Sequence, residues 1–73
     1  MEIYKLNISH KAKFFLYTLR EMKEMEKTYS DLSDLLAINR SLIPGVIKEL
    51  EENKLITVER GKGKKPSIYR INF

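Results

Sequence analysis

Tyr29-Ser30-Asp31-Leu32-Ser33-Asp34-Leu35-Leu36-Ala37-Ile38-Asn39-Arg40-Ser41 sets leucines at positions 32, 35 and 36, then loses that period at Ala37-Ile38-Asn39. Three- and four-residue steps are those of one helix face, and two turns is all this helix is given. Ser30 is a good N-cap, with Asp31 in the first turn where a negative charge suits the helix dipole. Beyond the break, Ile43, Val46, Ile47 and Leu50 restore the period in a further helix to about Asn53. Pro44 limits where that helix begins. An interior proline costs about 3 kcal/mol or more, whereas in the first turn its missing N–H bonds nothing. The reading therefore starts the helix at about Ser41 or Leu42, with Ser41 as its cap.

Working outward, Leu55–Arg60 and Ser67–Phe73 are apolar, β-prone runs around Arg60-Gly61-Lys62-Gly63-Lys64-Lys65-Pro66. They predict a hairpin, with Tyr69, Ile71 and Phe73 on one face of its last strand. Towards the N-terminus, Asn7 or Ser9 can cap a long helix running to about Glu26. Its buried stripe is Ile8, Ala12, Phe15, Leu16, Leu19 and Met22. A thinner stripe of Phe14, Tyr17 and Met25 either packs under the hairpin and N-terminal arm or forms a homodimer seam. Met1–Leu6 reads as a short strand or an ordered arm. Lys27-Thr28-Tyr29 reads as a β-prone linker with room for a strand at Thr28–Tyr29. The expected fold class is α+β, mostly helical with a β-hairpin, as one domain over 1–73: arm 1–6, helix pair 30–53, hairpin 55–73.

Seventy-three residues leave a small core, since such a chain buries only about 60% of its unfolded surface. Without cysteine and with the single His10, disulfides, thiolate sites and a histidine metal site are not expected. No cofactor is expected. The apolar fraction of 42% and charged fraction of 33% belong to a globular domain rather than a disordered one. No apolar run approaches the ~18 residues of a membrane span, and no signal-peptide core is present, so a cytoplasmic location is expected. The net charge of +4 is unevenly placed. Lys54–Phe73 hold six basic residues and one acidic, a net +5, against eight and nine in the preceding 53 residues. A hairpin tipped with cations suits a polyanion.

Tyr29–Ser41, followed by Val46-Ile47-Lys48-Glu49-Leu50-Glu51-Glu52-Asn53-Lys54-Leu55-Ile56, resembles the winged helix-turn-helix domains of prokaryotic and archaeal transcription regulators. The closest flavour is MarR-like and ArsR-like. The likeness covers roughly Thr28–Phe73 without a gap. Stand-alone domains this small look similar to those encoded by archaea, their viruses and plasmids, which implies a nucleoid-associated protein of the cytoplasm, or of the host cell's cytoplasm if virus-encoded. The resemblance implies the order helix, short strand, helix, helix, strand, wing, strand. It implies a sequence-specific regulator of double-stranded DNA that binds as a homodimer to half-sites about 10 bp apart.

On that resemblance, the third helix enters the major groove, which is about 12 Å wide and admits one helix. Asn39, Arg40, Ser41, Leu42 and Gly45 would then meet base edges, with Lys48 on phosphate. Arg40 forks onto guanine or holds a phosphate, Asn39 pairs with adenine or only caps the helix, and Leu42 meets a thymine methyl or packs inward. Pro44-Gly45 departs from the family, whose polar residues there touch DNA, so base reading should be thinner. Arg60, Lys62, Lys64, Lys65 and Arg70 of the wing would follow phosphates or enter the minor groove. Thr28, Ser30, Lys11, Lys13 and His10 are secondary phosphate candidates, His10 also reading as an ordinary surface residue.

Other readings of the same residues exist. Lysine-rich hairpin tips also protect edge strands and aid solubility. Some winged helices serve protein contacts, generally without a basic wing, and others bind DNA without base preference in architectural or replication roles. RNA is a weaker fit, because an A-form major groove excludes a helix. An enzyme is not expected: there is no nucleophile–base pair, and Gly61-x-Gly63 lies in a hairpin rather than between strand and helix. No effector-binding segment is evident, so control through abundance or competition for the site is expected.

Overall fold

The computed structural model describes residues 2–73. Three helices, α1 (His10–Met22), α2 (Tyr29–Leu36) and α3 (Ile43–Glu52), pack on a three-stranded antiparallel sheet of β1 (Glu24–Lys27), β2 (Ile56–Glu59) and β3 (Ser67–Ile71). The mixed α+β class is as expected. The strand order is β1-β3-β2, which makes β3 the central strand.

Ser9 caps α1, accepting the Ala12 N–H at 3.2 Å. Glu49 on α3 accepts from the Ser9 N–H at 2.9 Å and from its hydroxyl at 2.7 Å. The start of α1 is thereby tied to the C-terminal half of α3. Ala12, Phe15, Leu16 and Leu19 are fully buried, and Phe15 meets Tyr69 of β3 edge to face at 5.6 Å.

The helix ends earlier than its apolar stripe suggested. Lys23 takes φ 67°, the chain reverses, and Met22 is left exposed. Met25, expected on the helix, instead occupies β1 opposite Tyr69 and is buried. Glu24-Met25-Glu26 alternates out, in, out, and a strand with one apolar residue satisfies the core as a helix turn would not. The strand foreseen at Thr28–Tyr29 therefore lies at Glu24–Lys27. Of the N-terminal segment, Ile3–Lys5 form a 3-10 turn, not a strand, and Ile3 joins the core. Met1 lies outside the described residues.

Thr28, not Ser30, caps α2. Its hydroxyl accepts the Asp31 N–H at 3.1 Å while the Asp31 carboxylate accepts the Thr28 N–H at 3.2 Å, a reciprocal box. Leu32 and Leu36 are buried, but Leu35, expected on the same face, is 44% exposed. Ala37 ends the helix in the left-handed region, and the Ser33 hydroxyl donates to the Ile38 carbonyl at 2.6 Å, pinning the turn.

Arg40–Leu42 then form a 3-10 turn leading into α3. Ser41 does not cap α3: Leu42 holds that position without a side-chain cap bond, and Asn39 instead caps the 3-10 turn, its Oδ1 accepting from the Ser41 N–H at 3.0 Å and the Ser41 hydroxyl at 2.9 Å. Pro44 sits in the first turn of α3, as its chemistry requires. Ile43, Val46, Ile47 and Leu50 are buried against α1 and α2.

In the sheet, Met25, Val58 and Tyr69 stand in one register row, with Ile56 opposite Ile71 one step along. These residues share the face that meets the helices. Phe73 lies past the strand and is exposed. Among the described residues no helix is long and apolar enough to cross a membrane.

Candidate nucleic-acid interface

The hairpin between β2 and β3 closes through a turn in which the Lys65 N–H donates to the Lys62 carbonyl at 3.2 Å. Gly63 adopts φ +62° in that turn, and a Cβ on Gly61 would stand 2.5 Å from the carbonyl oxygens of Lys65 and Pro66. Both glycines are therefore demanded by the loop itself. The Gly61 N–H donates to Ser67 Oγ at 3.3 Å, steadying the base of the turn.

Folded this way, the hairpin tip faces the start of α2 and the turn before α3. Between them lies a cleft of about 560 Å³ lined by Lys27, Thr28, Tyr29, Ser30, Arg40, Arg60, Gly61, Gly63, Lys64, Lys65 and Ser67. Five of these are cations and none is acidic. The positively polarised first turn of α2 opens onto the same space. Lys27, Arg40, Lys64 and Lys65 join no ion pair among the described residues.

Two expected cations are otherwise engaged. Arg60 donates to both oxygens of Glu51 on α3, at 2.6 and 3.2 Å, a bidentate pair that bolts the hairpin stem to the helix. That contact holds the Glu51 carboxyl below its ordinary pKa and raises that of Arg60. Arg70 points to the other side of the sheet. It lies between Glu24, at 2.6 Å, and Glu59, at 3.3 Å, in register with Glu24 and Thr57, and takes no part in the cleft. Glu26 is carried on that same outer face, so it is acidic where the cleft is basic.

The remaining candidates divide by position. Asn39, Ser41, Leu42 and Gly45 are exposed at the head of α3, adjoining Arg40 outside the cleft. Lys48, farther along, stands 3.9 Å from Glu52. Lys62 is exposed at the hairpin tip. Thr28 and Ser30 line the cleft, Thr28 with its hydroxyl already committed to the cap. His10, Lys11 and Lys13 start α1, beside the far half of α3, and Lys13 donates to the Tyr4 carbonyl at 3.0 Å.

Of the residues expected at a homodimer seam, Phe14 is exposed and Tyr17 half-buried, with Arg20 stacked 5.2 Å over its ring. Met25 is 1% exposed and offers no surface, because β1 carries it into the core.

Lys27, Tyr29 and Ser67 were not singled out by sequence reasoning. Lys27 and Tyr29 flank Thr28 in what read as a plain linker, and only the folding of the hairpin over it makes them neighbours of Lys64. No protein-family model matches the chain, and neither does any curated protein or solved structure.

Proposed function

We propose that this chain is a winged helix-turn-helix domain that binds double-stranded DNA as a transcription regulator. The third helix would lie in the major groove and the basic hairpin along the flanking phosphates. The observation that carries the proposal is that Arg40, at the head of α3, and Lys64 and Lys65, on the hairpin, line one acid-free cleft. A groove edge and its bordering phosphates lie side by side on a duplex, so one surface holding a helix head and free cations suits both.

The element order and the β1-β3-β2 sheet support the winged reading of the α+β fold. The bond from Ser33 to the Ile38 carbonyl and the buried α2–α3 contact support a rigidly presented third helix. Exposed Phe14 beside Tyr17 supports pairing of two copies through α1. Such a homodimer would bind half-sites about one turn apart.

The test is fluorescence anisotropy of labelled duplex against salt. With Lys27, Arg40, Lys62, Lys64 and Lys65 each neutralising a phosphate, log K should fall against log salt with a slope of roughly −4 to −5 per protomer. No binding at low salt contradicts the proposal. A second reading, DNA binding without base preference, is favoured by one observation: Asn39 and Ser41 hydrogen-bond each other. Selection from a random duplex pool separates the two, since only a regulator enriches a symmetric motif.

A further inference from the structure

Gly45 has no role that the fold explains. It is exposed in the first turn of α3, its φ is not positive, and a Cβ built on it would meet nothing within 4 Å. Glycine is a poorer helix former than alanine, by about 1 kcal/mol in a helix interior. The protein gives up that stability without using the space, in contrast to Gly61, where a Cβ would strike backbone. The missing side chain at 45 leaves room for something outside the molecule.

What surrounds the gap restricts what that is. Leu42, one turn earlier on the same face, is 47% exposed. Pro44 has no N–H to offer. The Ser41 hydroxyl donates to the side-chain Oδ1 of Asn39. Lys48 lies near Glu52. At the head of α3, Leu42, Pro44 and Gly45 therefore form an exposed apolar step beside the polar Asn39, Arg40 and Ser41. Arg40 belongs to the same 3-10 turn as Leu42 and also lines the cationic cleft, so the apolar step is continuous with the proposed phosphate-binding surface.

The major-groove edge of a base pair carries one apolar group, the C5-methyl of thymine. We propose that Leu42 and Gly45 form a step that reads thymine by this methyl group: the methyl rests on the Leu42 side chain while the pyrimidine edge passes over the bare backbone at Gly45. This rests on the duplex-binding reading above and adds the base it prefers and the residues that select it.

The experiment uses the tightest duplex recovered from a random pool, made once with thymine and once with deoxyuridine, which lacks only the methyl. Wild-type protein is expected to bind the thymine duplex about fourfold more tightly for each methyl contacted, the worth of one buried methyl group. Leu42→Ala, a change at an exposed position, should bind both duplexes alike, with its fold checked by circular dichroism. Gly45→Ala should lose affinity for the thymine duplex and less for the deoxyuridine one. Equal binding of the two duplexes by the wild type, or an undiminished preference in Leu42→Ala, overturns the inference while leaving DNA binding intact. Absence of salt-sensitive binding to either duplex overturns the parent reading with it.

Discussion

Arg60 grips Glu51 through two hydrogen bonds, joining the stem of the hairpin to the last turns of α3. The bond anchors the base of the hairpin to the C-terminal end of α3. It also removes Arg60 from the free cations. Its contribution to stability should be roughly 0.2–1 kcal/mol, the range for exposed pairs, read as the coupling energy of an Arg60→Ala/Glu51→Ala double-mutant cycle. Because Arg60 depresses the folded pKa of Glu51, the stabilisation is complete above the carboxyl's unfolded value. It disappears as pH falls through the lower folded value. Asp31, depressed by the Thr28 backbone N–H, acts in the same sense. Thermal melts between pH 7 and pH 3 should show acid destabilisation, and Glu51→Gln should be less stable at neutral pH but lose less on acidification.

The basic residues of the hairpin should separate by variant. Replacing Lys62, Lys64 and Lys65 by alanine should reduce the salt slope by about 3, because each is free to neutralise a phosphate. Arg70→Ala should leave that slope nearly unchanged and lower stability instead, since its partners are Glu24 and Glu59 on the opposite side of the sheet. Anisotropy titrations at several salt concentrations, paired with denaturant melts, check both halves.

Thr28→Ala should lower stability by about 1 kcal/mol, the usual effect of removing an N-cap. Ser30→Ala should change it by less than about 0.5 kcal/mol, because the Ser30 side chain forms no cap bond. Urea unfolding distinguishes the pair, and equal effects would place the cap wrongly.

Met25→Ala should destabilise the fold by about 2–5 kcal/mol, as for other buried methionines. Phe14→Ala should leave the stability of a protomer within about 0.5 kcal/mol while weakening the proposed self-association. Sedimentation equilibrium on the Phe14 variant, against the wild type, reads the second effect. An unchanged association constant would remove that face of α1 from the seam.

Much of this architecture is legible in the chain because its strongest signals are local. The leucine period of α2 and the stripe at Ile43, Val46, Ile47 and Leu50 place two helices within a few residues. Pro44 correctly forces its helix to begin nearby. The misreadings follow from non-local choices. Glu24-Met25-Glu26-Lys27 continues a helix pattern as well as it starts a strand, and its partners in β3 lie 40 to 46 residues away. Lys23 ends α1 in a positive-φ conformation without the glycine that would have announced it. Thr28 and Ser30 are both cap residues, and only the Thr28-x-x-Asp31 spacing separates them. The cation count of the hairpin was legible, but which arginines are already paired depends on glutamates 9, 11 and 46 residues distant.

The central claim is that the cleft between Arg40 and Lys64 faces DNA. Amide chemical-shift mapping of the 73-residue protein, titrated with a short duplex at low salt, tests it most directly. The account predicts the largest shifts at Lys27–Ser30, Arg40–Gly45 and Gly61–Lys65, with the outer sheet face around Arg70 quiet. Shifts centred on that outer face or on the start of α1, or none at all, would contradict it.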